Sequence, residues 1–182
     1  AKQVATLDHM SQGRLRLGVG VGFRAELEVS RPLAWSDRYR ALAEMVAALT
    51  ALWTDDEAEY HGAFFDFDPV WTYPKPHQRP RPPLLAAATG PKAIRDCLGW
   101  ADGWLPGDAA FRDVAAALAD FRRSAQEAGR DPAALDLTIM AWGDPKLEKL
   151  AAYRDMGFNR VVLGGGRREA HDPSTTLSFL DR

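Results

Sequence analysis

Three glycine-bearing stretches hold the residues whose types and spacing could do chemistry. The first is Gly18-Val19-Gly20-Val21-Gly22-Phe23. Glycines lack a β-carbon, so a planar ring or a phosphate can lie directly against their main chain. The spacing is G-x-G-x-G and the loop runs on toward Ser36, unlike the dinucleotide fingerprint G-x-G-x-x-G that opens a helix. A tight turn after a strand accounts for these residues equally well. The second stretch is Ala88-Thr89-Gly90-Pro91, a strand end, a threonine cap, and a glycine and proline opening a helix. Free N–H groups and the positive end of the helix dipole suit such a junction to an anion, although a plain structural cap needs the same residues. The third, Gly164-Gly165-Gly166-Arg167-Arg168, sets two arginines beside a flexible turn and reads as a phosphate seat or as a solvated basic loop.

Other constellations are missing. His9, His61, His77 and His171 have no second His, Cys or carboxylate at metal-ligand spacing, so no metal is expected. There is no nucleophile elbow and no Walker loop. Trp71, Tyr73, Trp104 and Trp142 fall near strand ends, where they line a cavity for a flat molecule or fill the core.

The elements that must position these loops alternate. Val4 and Leu7 predict an amphipathic helix already in progress at residue 1, stopped by Ser11-Gln12-Gly13 with Gly13 in the left-handed conformation. Arg14–Gly20 reads as a short strand. A helix capped by Ser36 runs to about Trp53, with Tyr39, Leu42, Val46, Leu49 and Trp53 on one face. Residues 57–68 read as a hairpin turning near His61-Gly62. Residues 69–83 hold six of the twelve prolines and read as an extended connector within one domain. Then follow a buried strand at Leu84–Ala88, a helix at Pro91–Ala101, a short strand at Gly103–Pro106 and a helix from about Ala110 to Gly129. The chain continues with a strand at Leu135–Trp142, a helix at Pro145–Met156 with Pro145 at its first position, a strand at Asn159–Leu163, and a final helix from Asp172-Pro173. Five strands alternating with helices predict a parallel sheet with right-handed crossovers, either an open doubly wound sheet or part of an eight-fold barrel.

The bulk properties narrow the partners. A formal charge of −2 leaves no basic field for nucleic acid or an anionic membrane. No apolar run approaches the length of a spanning helix. The single cysteine, Cys97, cannot form an internal disulfide, which fits a reducing cytoplasm.

Several blocks in order resemble the luciferase-like monooxygenase superfamily. They are Lys2–Asp8, Ser11-Gln12-Gly13-Arg14-Leu15, Gly18–Phe23, Leu49–Thr54, Tyr60-His61-Gly62, Phe65-Asp66-Phe67, Pro74-Lys75-Pro76 and Asp102-Gly103-Trp104-Leu105-Pro106. Asp66–Trp71 followed by Pro74-Lys75-Pro76 looks most like the subgroup that uses the deazaflavin coenzyme F420. The resemblance covers residues 1–182 as one domain and implies a TIM-type (β/α)8 barrel, here an incomplete one of about five βα units with a hairpin insertion. It also implies that three further βα units stand ahead of residue 1 in the family pattern. By the resemblance, Gly20, Val21, Gly22 and Phe23 lie by the cofactor ring or its side chain, while Ala88, Thr89, Gly90 and Pro91 hold its tail and phosphate. Glu26 is the nearest retained candidate for a polar role there. The implied chemistry is hydride transfer between F420 and a small organic substrate, in an enzyme that is a homodimer when full length. The alternative is an FMN-dependent monooxygenase fed by a flavin reductase, and a third reading is a flavin-binding remnant without activity.

Overall fold

The computed structural model describes residues 1–25, 33–143 and 145–164. Helix α1 (Lys2–Met10) leads to strand β1 (Leu17–Val19), and helix α2 (Arg38–Thr54) to the hairpin β2 (Glu57–His61) and β3 (Asp66–Trp71). Strand β4 (Leu84–Ala86), helix α3 (Pro91–Leu98), strand β5 (Gly103–Trp104) and helix α4 (Val114–Glu127) follow. Strand β6 (Asp136–Trp142), helix α5 (Leu147–Met156) and strand β7 (Arg160–Gly164) complete the described order. The five strands β1-β4-β5-β6-β7 pair in parallel and in that order. Together they form a curled half-barrel, as expected.

The pleat divides the sheet into two environments. Val19, Leu84, Ala86, Trp104, Leu137, Ile139 and Ala141 face the helices and are buried. Gly18, Gly20 and Ala87 face the concave side and are exposed. This is the period-two consequence of strand geometry. Trp104 is the hub of the covered side: its ring stacks on Phe121 at 4.6 Å and 3° and meets Phe111 edge-on at 5.9 Å. Packed aromatic pairs of this kind add about 0.5–1.5 kcal/mol beyond the area they bury.

Helix α2 keeps its expected face, with Leu42, Val46 and Trp53 buried and Tyr39 and Leu49 packed on the core. Its cap differs: Ser36 lies inside a 3-10 turn (Trp35–Asp37), and Asp37 precedes the helix without a side-chain cap. In α1 the buried residues are Ala5 and Asp8, whereas Leu7 is exposed. A polar tie decides that rotation: Asp8 is fully buried and accepts from the Gln78 amide N–H at 2.8 Å and from Nε2 at 2.7 Å. Gly13 does take positive φ, and so does Gln12 beside it.

The proline-rich segment begins later than its first proline, because Pro69 belongs to β3. The pairing shifts register between Ala58 and Tyr60, opposite Asp68 and Pro69. A two-stranded ribbon with an irregularity tolerates a residue that donates no ladder bond. Helix α5 starts at Leu147 rather than Pro145 and ends on Gly157 at φ 95°. Helix α3 stops at Leu98 and α4 starts at Val114, capped by Asp113, whose carboxylate accepts from Ala116 N at 3.0 Å. The expected final helix from Asp172 lies outside the described residues.

Two of the quoted blocks, and Arg130 beyond them, turn out to grip main chain. Lys75 Nζ donates to Leu52 O at 3.1 Å and to Asp55 O, a cation on the last carbonyls of α2. Asp102 accepts from Leu84 N at 2.8 Å and from Arg81, joining the starts of β4 and β5. Arg130 donates to Leu98 O and Ala101 O at 2.6 and 3.1 Å, closing the end of α3.

Candidate functional site

The C-terminal ends of β1 and β4 are neighbours, with Leu17, Gly18 and Val19 in register with Leu84, Leu85 and Ala86. Past the ladder, Ala87 N donates to Val19 O at 2.8 Å, so the two chains stay side by side. This brings Gly20 against Ala87: a β-carbon built on Gly20 would stand 3.0 Å from the Ala87 methyl. The concave wall here is therefore nearly all main chain. Gly22 then takes φ 69°, which turns the chain out of the strand and favours glycine.

The predicted cradle residues do not all face one way. Gly20 and Ala87 face the concave side, but Val21 is half-buried and packs on the core. With Gly20, Leu33, Arg38 and Met45, Val21 lines a small pocket on the helix side. Phe23 is 71% exposed. Ala88 is buried, and its carbonyl accepts the Trp104 indole N–H at 2.7 Å, which fixes the turn into α3. Thr89 is exposed and does not cap. The N-cap is Gly90, Pro91 follows it, and no side chain caps this terminus. A missing side-chain cap leaves the first amides of the helix to solvent or to an anion. Glu26, Arg167 and Arg168, with Gly165 and Gly166, lie outside the described residues.

A second wall was not anticipated as a unit. Trp142 at the end of β6 is 49% exposed. A β-carbon on Gly107 would approach its Nε1 to 3.0 Å, and one on Gly164 its Cε3 to 2.9 Å. The two neighbouring strand ends are thus cut back around one indole. Its backbone is anchored, because Trp142 N donates to Asp108 Oδ1 at 3.1 Å. Asp108, 5% exposed in its side chain, also accepts from Tyr153 Oη at 3.0 Å and from Lys149 Nζ at 2.6 Å. Burial alone would raise the Asp108 pKa, but the bonds from Lys149, Trp142 and Tyr153 outweigh it and hold the carboxyl below its ordinary value. The same contact raises Lys149.

The opposite end of the concave face carries a charge cluster beside an open cavity lined by Arg16, Thr138 and Arg160. Asp136 accepts from Arg16 Nε at 2.8 Å and from Arg160 at 3.2 Å, and Thr138 Oγ1 donates to it at 2.8 Å. Burial opposes ionisation, yet these bonds keep Asp136 lowered. Of the described histidines, His9 and His77 pack edge to face beside the proline-rich segment, and His61 sits on the hairpin 2.7 Å from Asp66. Trp71 and Tyr73 lie exposed at the end of that hairpin, and Trp104 is core, so Trp142 alone of the four singled-out aromatics joins the wall. Among the described residues no group of three His, Cys, Asp or Glu is placed to hold a metal. No described helix is long and apolar enough to cross a membrane.

A curled parallel sheet with helices on one side and a cut-back wall at its C-terminal strand ends defines a chain of the (β/α)-barrel class. The model of the luciferase-like monooxygenase family matches residues 1–145, and the chain belongs to that family. It is 36% identical over 184 residues to an uncharacterized protein of Mycobacterium tuberculosis, covering 99% of this chain and 63% of that one. The chain therefore spans under two thirds of that relative's length. It is 32% identical over 139 residues to the F420-dependent hydroxymycolic acid dehydrogenase of Mycobacterium tuberculosis, 74% of this chain and 37% of that protein. It is 36% identical over 107 residues to the FMNH(2)-dependent dimethylsulfone monooxygenase of Pseudomonas putida, 57% and 29% of the two chains. Among solved structures, an F420-dependent secondary alcohol dehydrogenase superimposes with a TM-score of 0.68 at 19% identity, over 96% of this chain and 72% of that one.

Proposed function

We propose that this chain seats coenzyme F420 at the C-terminal ends of β1 and β4, as part of a deazaflavin-dependent oxidoreductase acting on a small organic substrate. The observation that carries the reading is the close approach of the main chain at Gly20 and Ala87, followed directly in the chain by the uncapped N-terminus of α3 at Gly90. A flat ring needs a wall without side chains, and a phosphate needs free amides beside a helix start. Both requirements are met on adjacent strand ends. Bound there, the deazaflavin supplies the centre that exchanges hydride with the substrate. Gly20 and Ala87 give the ring its seat, and the Trp142 indole bounds the cavity and excludes water. The first amides of α3, with the Thr89 hydroxyl, hold the phosphate. The titratable groups beside Trp142, namely Asp108, Lys149 and Tyr153, are bonded to one another, and Glu26 is the candidate of this sequence for a proton-handling role at the ring.

The kinship to an F420-dependent dehydrogenase over 74% of the chain supports this cofactor. The shorter match to an FMNH(2)-dependent monooxygenase supports the second reading, FMN with a separate reductase. Titration with each cofactor, followed by its fluorescence, separates them. F420 is expected to saturate the protein with an affinity at least about tenfold above that of FMN, a difference of about 1.4 kcal/mol. Gly20→Ala should weaken that binding, with circular dichroism and the urea midpoint recorded beside it to separate lost binding from a disturbed β1–β4 pairing. Tighter FMN binding would transfer the assignment to the second reading, and no binding of either would end both.

A further inference from the structure

The upper rim of the concave face is trimmed to small residues on four of its five strands. The upper ends of β1, β4, β5 and β7 carry Gly20, Ala87, Gly107 and Gly164, none larger than a methyl group. Only β6 ends in a large side chain, Trp142, in register with Gly164. The distances around Gly164 fix how its indole lies. A β-carbon built there would stand 2.9, 3.2 and 3.3 Å from Cε3, Cδ2 and Cζ3, and Cε3 is bonded to both of the others. A point off the ring edge would be clearly nearer to Cε3 than to its neighbours, so these near-equal distances put Gly164 over the ring face. Gly107 instead stands off the pyrrole edge, its built β-carbon 3.0 Å from Nε1 and 3.6 Å from Cδ1. One face of the indole therefore rests on the main chain of β7, while the residue stays 49% exposed. Among the described residues no ring or cation covers the other face, and Nε1 has no acceptor. Trp53 and Trp104 differ, because their indoles donate to Ala1 O and Ala88 O.

The ring is held in place from two directions: the Asp108 bond fixes the Trp142 backbone, and Gly164 supports the indole from behind. A flat surface that is backed on one side and open on the other is what an offset aromatic stack requires. It stands two strand spacings from Ala87, about 10 Å along the rim, and so apart from the seat at β1 and β4. Resting on the reading of a redox cofactor at that seat, we infer that Trp142 is the stacking plane for a second flat molecule, and that the substrate carries a conjugated ring. The rim around it offers main chain and a methyl group, and Lys149 and Asp108 are bonded to each other. The plane therefore selects by flatness rather than by charge. A conjugated ring gains roughly two- to tenfold in affinity there over a saturated ring of the same skeleton.

The test titrates the chain with naphthylmethanol and with its saturated counterpart, decalinylmethanol, without cofactor and again with saturating F420. Affinity is read by equilibrium dialysis, and contact by the indole N–H resonances of the six tryptophans. Naphthylmethanol is expected to bind roughly two- to tenfold more tightly than decalinylmethanol and to move the Trp142 resonance most, upfield by ring current. Trp142→Leu should bring the two ligands to equal affinity, while Trp142→Phe, which keeps a flat ring, should keep a preference. Urea midpoints are recorded for both variants, and if Trp142→Leu fails to fold, the wild-type resonances and Trp142→Phe decide. Equal affinities in the wild type, a preference that survives in folded Trp142→Leu, or a larger shift at another indole would overturn the inference. A preference that F420 abolishes would also overturn it, since the plane would then belong to the cofactor. The seat is judged separately, by whether F420 binds. A preference that depends on Trp142 in a chain that binds no deazaflavin sustains the stacking plane and ends the cofactor reading.

Discussion

Replacing Asp108 should unfasten the C-terminal end of the sheet, and the cost can be worked from its partners. The carboxylate is 5% exposed and serves three donors: Trp142 N at 3.1 Å, Tyr153 Oη at 3.0 Å and Lys149 Nζ at 2.6 Å. Asp108→Ala leaves the Trp142 amide and the buried Tyr153 hydroxyl without an acceptor, at about 1–3 kcal/mol each. Lys149 is 44% exposed and regains water, so its pair adds little. The total is about 2–6 kcal/mol, a large share of the roughly 5–15 kcal/mol that a domain commands. Asp108→Asn keeps one acceptor oxygen and should cost about half as much.

The pH dependence has a fixed sign. The folded pKa of Asp108 is held below its unfolded value of about 3.9. Its contribution is therefore fully present above the unfolded value and is lost as pH falls through the folded one. Urea unfolding of wild type and both variants at pH 7, and again in steps below pH 4, measures this. The deficit of Asp108→Asn should shrink across the acid range as the wild-type carboxyl takes up its proton. A deficit under about 0.5 kcal/mol for Asp108→Ala at pH 7, or one for Asp108→Asn that stays constant into acid, would refute the reasoning.

Three further outcomes are expected. Trp142→Ala should cost under about 1 kcal/mol in denaturant unfolding, since the ring is half exposed, yet Gly164→Ala should shift the tryptophan emission by pressing a methyl on that ring. A Gly164→Ala spectrum matching wild type would contradict the packing. Lys75→Met should lower stability by about 1–3 kcal/mol by freeing the Leu52 and Asp55 carbonyls, and an unchanged thermal midpoint would count against that role. Cys97 is buried, and its thiol is pushed up to about 12 by burial first and then by Asp96. Thiol reagents at pH 8 should therefore label it only in denaturant, and full labelling of the native protein within minutes would be inconsistent with that environment.

Sequence periodicity carried the element order because apolar spacing records which side of an element is dry. Leu42, Val46 and Trp53 show it in α2, and Ala93, Ile94, Cys97 and Leu98 in α3. It failed where something other than apolar area sets the outcome. Helix α1 turned to bury Asp8 rather than Leu7, since the Gln78 bonds come from seventy residues away in the chain. Helix starts at Ser36 and Pro145 were misplaced by a 3-10 turn and by two extra residues, which local residue types do not distinguish. The first wall was legible because glycines at a strand end announce close approach. The second was not. Gly107, Trp142 and Gly164 meet only across three neighbouring strand ends, and Asp108 finds its partners 34 to 45 positions later. An aspartate in a loop carries no local mark of that burial.

The ties made by Lys75, Asp102, Arg130 and Asp108 share a property. Each takes hold of at least one carbonyl or amide, a group that nearly every amino acid supplies. Their grip is thus indifferent to which side chains the tethered segments carry. Mutational drift can rewrite the strand-end loops while the frame beneath them keeps its shape. A lineage built this way can change what those loops meet by small sequence steps that leave the frame folded.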